Sequence, residues 1–250
     1  DGSVVESGEL STLDDDALVR AMSGSVAKEL QARNARTHEK ICFHAGSFEI
    51  RRGEIIGIGG LVGSGRSRWL RELALKSGAA RVSEDRRGEG FAQSLSIAEN
   101  LTLPFLSRMG RWGIVLSSEQ ARVANKWREA LSIKCTGPWQ RIGDLSGGNQ
   151  QKIAIARVLE QGTALILVDE PTRGIDVSAK AAIHEILRQA ADDGHSIVVV
   201  SSDTRELLAL CDRIAVMFRG SLGVSKATNE WTEHSIVDTA LRGAGVESAA

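Results

Sequence analysis

At 250 residues, with 42% hydrophobic and 25% charged side chains, the chain is long enough for one large domain or two small ones around a substantial core. A net charge of −1 gives no basic surplus for nucleic acid or an anionic membrane surface, and the longest apolar runs, 164–168 and 197–200, are too short to span a bilayer. Three widely spaced cysteines, Cys42, Cys135 and Cys211, argue against a disulfide framework or a zinc site and fit a reducing compartment.

Residues 1–24 resemble residues 219–243: each has a turn with a short strand, a polar stretch, then a short helix. The repeat suggests that the chain starts in the tail of one module and ends with the same tail of a second. Residues 25–40 are polar, as a linker would be. A turn at 51–54 precedes Ile55-Ile56-Gly57-Ile58, a buried strand by its continuous apolar character. Next come Gly60, Leu61, Val62, Gly63, Ser64, Gly65, Arg66 and Ser67, and then apolar residues at helical spacing from Trp69 to Ala74. Strand, glycine-rich loop and helix is the context of a P-loop, in which backbone N–H groups cradle phosphates; here Arg66 stands where the pattern has lysine.

A more helical region follows, with one helix beginning at 96–101 and a longer amphipathic one at 117–131. Leu145, Ser146, Gly147, Gly148, Asn149 and Gln150 then lead into a helical run to Leu159. Paired glycines allow close backbone approach, and a helix starting there aims free N–H groups at an anion. Residues 165–168 read as a buried strand running into Asp169 and Glu170. Ionised carboxylates at the C-terminal end of a strand need water, a cation or a donor. Asp169 suits Mg²⁺, and Glu170 suits a base that orients water. A helix at 178–191, a strand at 197–200 ending in Ser201-Ser202-Asp203, a helical stretch at 207–210 and a strand at 214–217 complete a βα succession. The expected architecture is α/β: a P-loop NTPase core with a mainly parallel sheet and a helical insertion over about 95–160.

P-loop, Leu-Ser-Gly-Gly-Asn-Gln and strand-Asp-Glu, in this order, resemble the nucleotide-binding domain of an ABC transporter. The extended form ending Gln-Gln-Lys, with Glu84-Asp85-Arg86-Arg87 and Pro171-Thr172-Arg173-Gly174-Ile175-Asp176, resembles the second cassette of ribose- and galactose-type importers, with residues 41–250 as that domain. The resemblance implies ATP and Mg²⁺ as ligands, with Gly60, Gly63, Ser64, Gly65, Arg66 and Ser67 on the phosphates and Ser67 and Asp169 on the metal. It implies Glu170 as the catalytic residue and a signature, 145–150, that closes on nucleotide held by a second cassette. Asp176 would lie in a loop communicating between the two sites. The implied partners are a preceding cassette in the same polypeptide, transmembrane permease subunits that residues 94–100 would touch, and an external sugar-binding protein. The implied location is the cytoplasmic face of the membrane, as a peripheral subunit, and the implied cargo is a pentose or hexose. Less favoured alternatives are a non-catalytic regulatory module and an ABC ATPase of translation or DNA repair.

Four departures from the family stand out. Arg66 replaces the lysine with a planar fork. Ser202 stands at the switch histidine, and Glu84 at the glutamine that reaches Mg²⁺. The segment 71–83 is short, so the antiparallel β subdomain is expected to be abbreviated. Together they suggest a P-loop site that hydrolyses poorly beside an intact signature. Trp69, Trp112, Trp127 and Trp139 read as packing or subunit contacts, Phe43 as core, and His184 and His195 as solvated.

Overall fold

The computed structural model describes residues 41–45, 48–110 and 114–243. The expected preceding tail, the linker and Trp112 lie outside these residues. The central strand is β3, Ile55–Gly60, flanked by parallel β6 (Ser196–Val200) and β7 (Arg213–Phe218). Beyond β6 lie β5 (Leu165–Asp169) and β4 (Ala80–Val82), both parallel, while β8 (Ser221–Leu222) and β9 (Lys226–Ala227) pair antiparallel with β7. Strands covered on both faces need apolar residues at successive positions, as the buried runs of β5 and β6 show.

The two faces separate by the period of two. Ile55, Ile166, Val168, Ile197, Val199, Ile214 and Val216 point into one cluster. Ile56, Ile58, Leu165, Leu167, Val198, Val200, Ala215 and Met217 point into the other. On this second face lie α1 (Arg66–Ser77) and a two-stranded antiparallel sheet of β1 (Ile41–Ala45) and β2 (Phe48–Arg51). That small sheet is the abbreviated antiparallel element. Phe43 packs partly buried against this cluster, and Trp69 meets Phe48 edge-on at 5.6 Å, so both side chains pack as expected.

The helical region comprises α2 (Ile97–Thr102), α3 (Leu106–Met109), α4 (Ser117–Ala130) and α5 (Gly147–Glu160), and of these α2, α4 and α5 bury residues in the first cluster. Ala98, Leu101, Ala124 and Ile142 share one core with the sheet residues Ile166 and Val168. A capping box starts α2, with Ser96 accepting from the Glu99 N–H and the Glu99 carboxylate accepting from the Ser96 N–H. The same face carries α6 (Val177–Asp192), α7 (Thr204–Leu210) and α8 (Glu233–Arg242). Glycine lets α7 sit close: a Cβ on Gly57 would lie 2.7 Å from Cys211 Sγ. The registers Ile58↔Val200 and Asp169↔Val200 bring the C-terminal ends of β3, β5 and β6 to one edge of the sheet. Ligands of open α/β sheets bind at such an edge.

Candidate nucleotide site and signature helix

The loop from β3 to α1 takes its shape from glycines where no side chain would fit. Gly60 has φ 147°, and a Cβ there would lie 2.7 Å from Met217 O and 2.9 Å from Ser64 Oγ. Gly65 (φ 103°) turns the chain directly into α1. The Ser64 N–H donates to Leu61 O at 3.0 Å, and Gly220 N–H donates to Ser64 O at 2.8 Å, pinning the loop to the turn after β7. No acid occupies the first turn of α1, whose partial positive charge is therefore uncompensated from within.

Within this loop and the first residue of α1, two buried polar atoms are without a hydrogen-bond partner: Ser64 Oγ and Arg66 Nη1. Orphaned buried donors are uncommon in folded proteins. Set beside a glycine cradle at a helix start, they fit the oxygens of a phosphate. Ser67 Oγ donates to Asp169 Oδ1 at 3.2 Å, so a hydroxyl and a carboxylate meet beside that cradle. Both are hard oxygen ligands of the kind Mg²⁺ takes along with water and substrate phosphates, and Ser67 and Asp169 would hold it here. Among the described residues no group of three or more His, Cys, Asp or Glu could form a fuller metal cage.

Glu170 follows β5 in the left-handed region, φ 49°, with its N–H bonded to Val200 O at 2.8 Å. Its carboxylate is held from two sides. Ser202 Oγ donates to Oε2 at 3.0 Å, and Arg66 Nη2 lies 3.4 Å from Oε1, with both ionic side chains only 7% exposed. Burial pushes Asp169 and Glu170 above the ordinary carboxylate range, opposed at Asp169 by the Ser67 bond and at Glu170 by the bonds from Ser202 and the charge of Arg66. Burial likewise pulls the Arg66 guanidinium below its usual value.

Glu84 lines a cleft of about 430 Å³ together with Ser67, Arg71, Ser83, Asp85 and Asp169, and pairs with Arg173 in the loop after β5. Glu84 and Ser202 therefore both sit in the constellation formed by the P-loop, Asp169 and Glu170.

Leu145 to Gln150 form a separate feature. Ser146 caps α5, its Oγ accepting from Asn149 N at 3.5 Å and Nδ2 at 2.9 Å. Asn149 Oδ1 accepts from Lys134 N at 3.0 Å, and the buried Gln150 amide donates to Ile142 O at 3.0 Å. Gly148 is required by packing, because a Cβ there would lie 2.7 Å from Ala179 Cβ of α6. Asp176 caps α6, and the Ser178 hydroxyl at 2.5 Å, with the Ala179 N–H at 2.8 Å, holds its carboxyl below the ordinary range.

Sequence reasoning missed the contacts of Glu206 and Arg86 and misassigned two histidines. Glu206, 1% exposed, accepts from Thr172 Oγ1 at 2.7 Å and Ser201 Oγ at 2.5 Å and lies 2.9 Å from His184 Nε2. His184 is fully buried rather than solvated, because α6 presses it onto this carboxylate. His195 is also only partly exposed, with Nδ1 2.9 Å from Thr163 O. Arg86 donates to the carbonyls of Gly147 and Arg173. One local signal was available for Glu206, a lone acid beside the apolar run 207–210; backbone-directed bonds such as those of Arg86 leave none.

A glycine cradle on a helix start, a hydroxyl–carboxylate pair and a capped Ser-Gly-Gly helix elsewhere on the same domain define a P-loop nucleotide-binding cassette. A family model described as ABC transporter matches residues 43–173, and the chain belongs to that family. It is 33% identical to the ribose import ATP-binding protein RbsA of Roseobacter denitrificans, over 95% of this chain and 53% of that protein. It is 37% identical to the D-allose import ATP-binding protein AlsA of Escherichia coli K12, over 89% of this chain and 52% of that protein. The chain thus spans about half the length of these curated relatives. The fold matches that of a dimeric ATP-binding cassette in a post-hydrolysis state bound to ADP and Pi (TM-score 0.60, 22% identity, 77% of this chain and 97% of that one).

Proposed function

We propose that the chain is the second ATP-binding cassette of a sugar importer, with a P-loop site that binds nucleotide but turns it over slowly, and a signature helix that completes the site of a preceding cassette. Relatives named for ribose and allose import, each about twice as long, support the sugar class and the tandem arrangement. Among the described residues no helix is long and apolar enough to cross a membrane. Membrane work then falls to permease subunits met by residues 94–100, with this chain peripheral on the cytoplasmic face and an external binding protein choosing the sugar.

One observation carries the slow-turnover reading: Arg66 Nη2 lies 3.4 Å from Glu170 Oε1. A base that orients water must keep its carboxylate free for that water. Here a buried guanidinium takes one oxygen and Ser202 the other. A phosphate arriving in the cradle presents an alternative anion to Arg66, whose free Nη1 already faces no partner. Mg²⁺ on Ser67 and Asp169 would neutralise charge on the transferred phosphoryl group. This chain's own residues bind and orient, with Glu170 left to orient water only when Arg66 lets go. The same contact also favours the regulatory-module reading, in which nucleotide is held and never cleaved.

Titration with a fluorescent ATP analogue, with and without Mg²⁺, tests the pocket; micromolar Mg²⁺-dependent binding is expected. Steady-state hydrolysis tests the turnover. Ordinary ABC ATPase rates in this chain, abolished by Glu170→Gln, would overturn the slow-site reading. Co-purification with a membrane permease, rather than with ribosomes or DNA, tests the transport assignment.

A further inference from the structure

The turn after β4 is tied to both halves of the machinery by one side chain. Arg86 begins a single π-turn, Arg86–Gly90, directly after Glu84 and Asp85. Its Nη1 donates to Gly147 O at 2.8 Å, in the first turn of α5. Its Nη2 donates to Arg173 O at 3.2 Å, in the loop where Arg173 also pairs with Glu84 and where Arg173 N–H bonds Glu170 O at 3.3 Å. The fit around the fork is close. A Cβ on Gly147 would lie 3.1 Å from Nη1, and one on Gly174 would lie 3.6 Å from Nη2. The guanidinium is half-buried, and burial pulls it below its usual value.

We infer that Arg86 is a positioning residue that couples the signature helix to this chain's own Glu84–Glu170 region, so that a displacement at Gly147–Gly148 is felt in the 84–90 turn. A planar guanidinium offers two donors at fixed separation, so it holds two carbonyls in a set relation. A lysine presents a single nitrogen in place of this fixed planar pair and so does not set the two carbonyls in the same relation. The turn itself is well ordered to report motion: Asp85 Oδ1 accepts from Arg87 N at 3.1 Å and Gly88 N at 2.8 Å, and Asp85 O accepts from Gly90 N at 2.7 Å. If Arg86 pulls on this turn, those amides lose protection when α5 moves. The consequence for a neighbouring cassette rests on the function proposed above. The coupling itself is measured without nucleotide, so the two fail separately.

Gly148→Ala supplies the displacement, because its methyl would overlap Ala179 Cβ at 2.7 Å and push the start of α5 off α6. Amide hydrogen exchange of Arg87, Gly88 and Gly90 is measured in a mutant cycle of Gly148→Ala with Arg86→Gln, repeated with Arg86→Lys in case the Gln variant does not fold. With Arg86 present, Gly148→Ala is expected to speed exchange at these amides by about threefold or more; in either Arg86 variant the increment is expected to fall below about 1.5-fold. If Arg86 merely stabilised the fold, its replacement would raise exchange throughout and leave the Gly148→Ala increment intact. That result, or no increment with Arg86 present, overturns the inference.

Discussion

Replacing Glu170 with glutamine should make the nucleotide-free chain less stable and, at the same time, make it bind nucleotide more tightly. The substitution keeps the shape, and the amide oxygen can still accept from Ser202 Oγ, now 3.0 Å from Oε2. What it removes is the charge facing Arg66. At 3.4 Å the gross attraction is about 5 kcal/mol at an effective dielectric near 20. Breaking a buried pair by removing one partner costs about 3–5 kcal/mol. Here Asp169 remains nearby to attract Arg66, so the lower part of that range or slightly less, about 2 kcal/mol, is expected. The penalty falls on the empty site, where Arg66 is left buried without its partner. Phosphate binding relieves it, so part of the loss returns as affinity, about tenfold for each 1.4 kcal/mol recovered. Urea denaturation without ligand reads the first quantity, and titration of a fluorescent ATP analogue reads the second. An unchanged denaturation midpoint, or nucleotide binding that is unchanged or weaker in Glu170→Gln, would refute the idea that Arg66 is shared between Glu170 and phosphate.

Further tests follow from the same contacts. Glu206→Gln sets an amide NH₂ either against the Ser201 hydroxyl or against Thr172 and His184, and should cost about 2–4 kcal/mol by urea denaturation. Burial alone would raise the Glu206 pKa, but the bonds from His184, Ser201 and Thr172 hold it below the ordinary value. A depressed folded-state pKa stabilises above the unfolded value, about 4.3, and that contribution is lost as pH falls through the folded one. The deficit of Glu206→Gln should therefore be full at neutral pH and shrink in acid, and a deficit independent of pH would contradict the ionised reading. Asp176→Ala removes the cap of α6 and should cost about 1 kcal/mol, measured by denaturation at pH 7. Gly60→Ala forces a side chain onto Met217 O at φ 147° and should cost about 2–3 kcal/mol and abolish nucleotide binding.

The parallel strands were legible because burial on both faces demands continuous apolar runs, as at 165–168 and 197–200. The P-loop was legible because positive φ and close approach demand glycine at set positions, and the cap at Ser146 because it precedes a helical run. Short strands were not. β4 has only the residues Ala-Arg-Val, and β8 and β9 have two each, too few to show a period. Nor was the state of His184, whose burial is set by Glu206 on another helix. The contact between Arg66 and Glu170 is likewise a product of strand register, which no local pattern encodes.

The departures from the family acquire partners once the chain is folded. Arg66 is wide enough to reach Glu170, and Ser202, short where a histidine is expected, still holds the other carboxylate oxygen. Glu84, acidic where glutamine is expected, meets the basic Arg173, whose carbonyl is in turn held by Arg86. Random loss at three positions would leave unpaired charge in a partly buried site, which is costly. Instead each altered side chain meets a complementary one within this chain, and the atom of Arg66 left without a partner, Nη1, is the one that would meet a phosphate on the function proposed above. This pairing is what the proposed slow-turnover site calls for, with nucleotide held more readily than cleaved. On the proposed reading, the bonds from Arg86 to the carbonyls of Gly147 and Arg173 favour a retained structural task over decay toward no function.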